Sequence, residues 1–217
     1  MKLEKMGEFF DARLAEYEAH QLHCISAAEI FYPLTASLLP AVPGCKVLDL
    51  GCGTGLELDE YYRRNPSAIV TGIDLAPGML ETLRAKHPKK QLTLILGSYF
   101  DVPLGEACYD AAVSVESLHH FTMQQKIPLY GKLHRALKKD GFFILTDYMA
   151  RTEQEERENF AQLAELRRRQ GLPEGVFYHF DTPLTQQHEM QALLEAGFSR
   201  VEFLHRWEGT VLLRAYA

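Results

Sequence analysis

The sequence predicts an α/β fold in which helices cover a sheet of parallel strands. Two observations carry that prediction. Strand-like apolar runs alternate with helix-like stretches along most of the 217 residues, and this alternation is the signature of βαβ units. In addition, Lys46-Val47-Leu48-Asp49-Leu50 runs straight into Gly51-Cys52-Gly53-Thr54-Gly55 and then Leu56-Glu57. Strand, glycine turn and helix start in that order form the junction at which doubly wound sheets bind nucleotides.

Each element follows from local pattern. Between Glu4 and about Leu39, Phe9, Phe10, Leu14, Tyr17, Ile25, Ala28 and Phe31 recur at near-helical intervals ahead of Pro40 and Pro43-Gly44, which predicts two helices before the sheet. Val47 to Leu50, Ala68 to Asp74, Leu92 to Leu96, Tyr109 to Val115 and Phe142 to Asp147 read as strands. Helices are expected to start near Leu56, Pro77 and Met123, the last running through Leu133 and Leu137 to Gly141 with a kink or restart at Pro128. A polar amphipathic helix from Glu153 to Gln170 precedes the aromatic run Phe177-Tyr178-His179-Phe180. A helix capped by Thr185 and stopped by Gly197 comes next, and Arg200 to His205 and Thr210 to Tyr216 supply two final strands.

Composition narrows the class. With 23 basic against 29 acidic residues the net charge is −6, and no long basic run exists, so a nucleic-acid partner is not expected. Arg167, Arg168 and Arg169 read as the solvated end of a helix, where positive charge suits the macrodipole. Cys24, Cys45, Cys52 and Cys108 form no C-x-x-C pair, which suggests neither a zinc knuckle nor a disulfide framework. His20 and His23 stand at i and i+3 without a third ligand nearby, so no metal is expected. The N-terminus has mixed charge and no eighteen apolar residues run together; the expectation is a soluble cytoplasmic protein with no membrane partner.

The glycine spacing is G-x-G-x-G, at 51, 53 and 55, and the third glycine of a dinucleotide fingerprint would fall where Leu56 stands, which argues against a nicotinamide cofactor. A turn without Cβ atoms lets backbone approach a ligand closely and adopt positive φ. N–H groups at the following helix start can meet a carboxylate. Asp74 closes the second strand nineteen residues after Gly55, where such folds place a carboxylate on ribose hydroxyls.

Taken together, Asp49, the glycine turn and Asp74 resemble the motifs of class I S-adenosylmethionine-dependent methyltransferases. The resemblance implies a Rossmann-like, seven-stranded, mostly parallel sheet in the order 3-2-1-4-5-7-6 with the last strand antiparallel. It also implies an N-terminal helical cap and a helical insertion after strand 5. S-adenosyl-L-methionine would be the cofactor, seated by Asp49, Gly51, Cys52, Gly53, Gly55 and Asp74, with Leu75 and Met79 on the adenine side. Leu96-Gly97-Ser98-Tyr99 is similar to the family's adenine loop, with Ser98 in place of the usual acid and Tyr99 offering its ring. Tyr17, in a segment with Phe9-Phe10-Asp11, resembles the cap tyrosine that closes over the cofactor. Leu137-Lys138-Lys139-Asp140-Gly141 resembles a Leu-Lys-Pro-Gly-Gly turn.

The segment Val115-Glu116-Ser117-Leu118-His119-His120 resembles the family's post-strand run ending Leu-His-His. It places Val115 beside the cofactor and Glu116, His119 and His120 at the crevice as candidates for removing a proton from the acceptor; which histidine is structural stays open. Asp147, Tyr148, Tyr178 and His179 are candidate acceptor contacts. One domain, 1–217, is expected, divided into a cap (1–40), a cofactor core (45–149), a substrate lid (150–183) and a C-terminal helix with strands (184–217). The expected function is methyl transfer to a small-molecule O, N or S nucleophile. A methyltransferase acting on nucleic acid or protein, a cofactor-modifying enzyme and a non-catalytic S-adenosylmethionine-binding module are the alternatives; an Asn-Pro-Pro-Tyr type motif is absent after strand 4.

Overall fold

The computed structural model describes residues 1–217. Seven strands form one sheet: β1 (Lys46–Leu50), β2 (Ile69–Asp74), β3 (Gln91–Leu96), β4 (Tyr109–Val115), β5 (Leu137–Tyr148), β6 (Arg200–Trp207) and β7 (Thr210–Tyr216). Their order is β3-β2-β1-β4-β5-β7-β6, parallel through β5, with β7 antiparallel to both neighbours. The strand order reverses between β1 and β4, so the carboxyl ends of these central strands open a crevice where open α/β sheets bind ligands. β4 is buried on both faces from Ala111 to Val115, as its apolar run requires.

The N-terminal run is three helices rather than two: α1 (Met6–Ala12), α2 (Leu14–Cys24) and α3 (Ala28–Leu38). The chain leaves helical geometry at Arg13, whose guanidinium binds Glu4 at 2.8 Å and lies 3.7 Å over the Phe9 ring. It leaves again before α3, where Ala27 takes φ 61°. Apolar spacing cannot register either break, because Phe10, Leu14 and Tyr17 stay in phase across the first.

The remaining helices are α4 (Leu56–Arg64), α5 (Pro77–Lys86), α6 (Met123–Ala136), α7 (Glu153–Gln170) and α8 (Gln186–Glu195). Threonines start three of them: Thr122 with Gln125 forms a capping box, and Thr152 and Thr185 accept N–H bonds from Glu155 and His188. α6 ends at Ala136 rather than Gly141, because Leu137 already pairs with Tyr109. The Lys138–Gly141 turn is a bulge inside β5, the pairing jumping from Tyr109–Leu137 to Ala111–Phe142. α6 is unbroken across Pro128, which lies in its second turn, where a proline removes a single ladder bond.

Long-range bonds lock the cap onto the core. Asp11 accepts the Gly78 N–H at 3.0 Å, serving the start of α5, and Lys86 reaches Glu18 at 2.8 Å. The segment after α7 is tied to both sides: Met6 N–H to Phe177 O and His179 N–H to Glu4 O at 3.0 Å, and Thr182 N–H to His119 O at 2.9 Å. Behind the sheet, Lys126 donates to Glu189 at 2.5 Å and Tyr130 donates to the same carboxylate, clamping α6 to α8.

Candidate functional site

The glycine turn is the frame of the site. Gly51, Gly53 and Gly55 have φ of 74°, 46° and 74°, the left-handed region that side chains disfavour. A Cβ at Gly51 would collide with the Ser117 side chain, and one at Gly53 would lie 3.3 Å from Tyr17 Oη. The turn therefore presents bare backbone to the crevice, with the Tyr17 ring over it. Asp74 Oδ2 accepts the Gly53 N–H at 2.8 Å and Oδ1 accepts the Ala76 N–H at 2.9 Å. Burial raises the Asp74 pKa, and these N–H bonds oppose the rise.

Around this frame lies a narrow cavity of about 50 Å³ lined by Met6, Phe10, Tyr17, Gly51, Gly53, Asp74, Leu75, Met79, Tyr99, Glu116, Ser117 and His120. Its residues fit a nucleoside with a charged tail: a carboxylate at the end of β2, apolar and aromatic groups beside it, and an exposed glycine backbone. Tyr99 is fixed by donating to Ser117 O at 3.2 Å and by an edge contact to Phe121.

Five residues expected near the cofactor lie behind this surface. Asp49 is 1% exposed and neither carboxylate oxygen has a hydrogen-bond partner; burial, reinforced by Glu57, raises its pKa well above the ordinary range. Cys52 turns its thiol into the core, toward Gly72. Gly55 caps α4 with its Cα against Leu83. Ser98 spends its hydroxyl accepting the Phe100 N–H at 3.2 Å, which makes it a turn brace, and Val115 packs in the core.

A larger cavity of about 760 Å³ adjoins the first and shares Phe10, Tyr17, Glu116 and His120 with it. Five chain segments enclose it: the cap between Phe9 and Ser26, Glu116 to His120, Tyr148, His179 with Asp181, and the β6–β7 turn from Trp207 to Thr210. Of the expected acceptor contacts, Tyr148 and His179 line it. Tyr178 faces another cavity, under α7, and Asp147 lines neither of the first two. Asp147 is consumed instead: Oδ1 accepts from His119 Nδ1 at 2.6 Å and from Tyr148 N–H at 3.0 Å, and Oδ2 accepts from Leu118 N–H at 2.9 Å. Asp181, Trp207, Glu208 and Thr210 were not foreseen. Asp181 directly follows the aromatic run, the one sequence cue that pointed toward it.

The two histidines differ sharply. Burial alone would lower the His119 pKa, but Asp147 on Nδ1 and Asp181 on Nε2 outweigh it and hold it well above the ordinary imidazole range. His120 is pushed well below that range by burial and by the neighbouring His119. Its Nδ1 lies 3.1 Å from Phe180 O, so Nδ1 carries the proton and Nε2 does not. Glu116, with φ 48° at the end of β4, accepts from Thr210 Oγ1 at 2.9 Å. Burial lifts it to about 7 against the pull of His119. A non-glycine residue held at positive φ costs about 1–2 kcal/mol, so the surrounding structure must hold the Glu116 backbone in place.

Known proteins share this chain's sequence pattern and fold. A methyltransferase-domain family model matches residues 47–141. Malonyl-[acyl-carrier protein] O-methyltransferase of Herminiimonas arsenicoxydans is 31% identical over 79% of this chain and 60% of its own length. Carboxy-S-adenosyl-L-methionine synthase of Wolinella succinogenes is 30% identical over 74% of this chain and 71% of its own. Human N-acetylserotonin methyltransferase in complex with S-adenosylmethionine superposes with a TM-score of 0.60 at 22% identity, over 86% of this chain and 50% of that one. The chain spans 60% and 56% of the lengths of two curated relatives, the second a methyltransferase of Synechocystis. No helix is long and apolar enough to cross a membrane.

Proposed function

Because the chain belongs to the class I S-adenosylmethionine-dependent methyltransferase superfamily, we propose that it transfers a methyl group from S-adenosylmethionine to a small-molecule acceptor held in the 760 Å³ cavity. One observation carries this reading: the cofactor-side and acceptor-side cavities meet at Phe10, Tyr17, Glu116 and His120. When bound, the cofactor supplies a sulfonium-activated methyl group. The glycine turn would hold its methionine end, Asp74 its ribose, and Leu75, Met79 and Tyr99 its adenine. Met6, Phe10 and Tyr17 must swing aside to seat it, since about 50 Å³ is well below the few hundred a ligand of this size fills.

The protein's main task is to hold the nucleophile in line and exclude water; positioning can remove about 7–11 kcal/mol of barrier. Glu116 sits at the junction and takes the acceptor's proton, a role worth about 10²–10⁴-fold. Asp147 and His119 position the loop that carries it. Glu16, Glu116, Asp181 and Glu208 line the acceptor cavity with Arg13 as the lone permanent cation, and Arg13 is engaged by Glu4. That lining suits a neutral or cationic small molecule and repels a phosphate backbone.

The test is methyl transfer from labelled S-adenosylmethionine across hydroxyl, amine and thiol acceptors, with total tRNA and protein in parallel. Turnover on small molecules, reduced at least about 10²-fold in Glu116→Gln with cofactor affinity retained, is the expected result. Transfer confined to tRNA or protein, or stoichiometric cofactor binding without any turnover, would overturn it in favour of a macromolecular methyltransferase or a binding module.

A further inference from the structure

Three histidines converge on one carboxylate in the acceptor cavity, with His120 at its junction with the cofactor-side cavity. Asp181 Oδ1 lies 3.3 Å from His120 Nδ1, 3.5 Å from His119 Nε2 and 4.0 Å from His179 Nε2. All four residues line the cavity. The donor atoms of His119, His120 and Asp181 are mutually within 4.8 Å. Ligands about 2.0–2.1 Å from a tetrahedral zinc ion stand roughly 3.3–3.4 Å from one another, close to the 3.3 and 3.5 Å that already separate Asp181 from the two histidine nitrogens.

The supporting shell is also in place. His119 gives its Nδ1–H to the buried carboxylate of Asp147 at 2.6 Å, which turns Nε2 toward Asp181. A carboxylate behind a histidine, fixing its tautomer and ring plane, is the arrangement that orients metal-bound imidazoles. Asp147 is in turn anchored by the N–H groups of Leu118 and Tyr148, so the ring has little freedom. Thr182 N–H to His119 O at 2.9 Å fixes the Asp181 segment against the histidine pair.

We propose that His119 Nε2, His120 Nδ1 and Asp181 form a site for a zinc-class divalent cation, with a fourth position open to the cavity. Two imidazoles and one carboxylate suit borderline ions such as Zn²⁺ rather than Mg²⁺ or Ca²⁺, which prefer all-oxygen sets. The ion takes the place of two protons, the one His119 Nε2 directs at Asp181, which is released to solvent, and the one on His120 Nδ1, which moves to Nε2; Glu116, not among the three ligands, keeps its role at the junction. His179, 4.0 Å away and stacked on Phe9 at 3.5 Å, is the next donor in line. Three protein ligands with one open position is the pattern of zinc sites that act on a substrate. Metal binding needs no cofactor, so it succeeds or fails independently of methyl transfer.

The test is Co²⁺ titration of the chelator-stripped full chain without S-adenosylmethionine, followed by visible absorbance, then displacement by Zn²⁺. One Co²⁺ per chain with the intense d–d bands of a tetrahedral ion, released by one Zn²⁺, is expected. Asp181→Asn, at a half-exposed position that leaves the fold intact by circular dichroism, should weaken Co²⁺ binding by more than the ~10–100-fold that loss of an outer partner costs. His20→Ala/His23→Ala, at the exposed cap histidines, should leave it unchanged. Absence of stoichiometric binding, undiminished binding in Asp181→Asn, or loss of binding in the cap variant would each overturn the proposal.

Discussion

Asp74→Ala tests the cofactor seat most directly. In the structure the Asp74 carboxylate lines the narrow cavity, taking the Gly53 N–H at 2.8 Å with one oxygen and the Ala76 N–H at 2.9 Å with the other. Each oxygen keeps a further lone pair, so the group can hold the turn and still receive ribose hydroxyls. A hydrogen bond to a charged group contributes about 1.5–3 kcal/mol, so the alanine variant should bind S-adenosylhomocysteine roughly 10–150-fold more weakly. Asp74→Asn keeps the shape but replaces one acceptor oxygen with a donor facing an N–H group, and should fall between the two. The assay is titration calorimetry, with circular dichroism to show that the sheet persists. Affinity within about twofold of the unmodified chain in Asp74→Ala, against that order-of-magnitude expectation, would refute the ribose assignment.

Two further outcomes follow from buried charge. Burial raises the pKa values of both Asp49 and Glu57 above their ordinary 3.8 and 4.5, so the folded chain holds these protons more tightly than the unfolded one. That contribution to stability is fully present below the ordinary values and is lost as pH rises through the raised ones. Thermal melts of Asp49→Asn should therefore lose less stability between pH 5 and pH 8 than the parent, a difference of about 1 kcal/mol or more, or roughly 2–4 °C; identical pH slopes would exclude the argument. Lys126→Met should cost about 3–5 kcal/mol in urea unfolding by stranding Glu189 in the core, and adding Glu189→Leu should restore part of it. A single-variant cost below about 1 kcal/mol would show that the pair is not a buried one.

The sheet was legible because each strand announces itself locally. β4 and β7 begin and end where their apolar runs do, and Thr185 and Gly197 bracket α8 as capping chemistry requires. The glycine turn was equally legible, since its φ values can be met cheaply by no other residue. Two failures share a cause. Leu137 satisfies a helical and an extended phase alike, and only its pairing with Tyr109 decides between them. The cap's break at Arg13 likewise depends on Glu4 and Phe9, contacts that periodicity does not encode.

The two ends of the site differ in how the chain builds them. The cofactor frame runs from Gly51 to Gly55 with one distant carboxylate, so a short motif nearly specifies it. The acceptor cavity draws on five segments spread from Phe9 to Thr210, and its decisive asymmetry comes from distant partners: burial is outweighed at His119 by the Asp147 and Asp181 carboxylates, which hold it above the ordinary imidazole range, while burial and the neighbouring His119 push His120 below it. Substitutions at Trp207, Glu208 or Tyr148 can therefore reshape the acceptor cavity while leaving the glycine turn, Asp74 and the sheet untouched. On this architecture, Trp207→Ala should change which acceptor is methylated without altering cofactor affinity, and a matching loss of both would mean that the two cavities are one site. Competition between acceptor profiles of the parent and the variant, read with the same labelled cofactor, separates those outcomes.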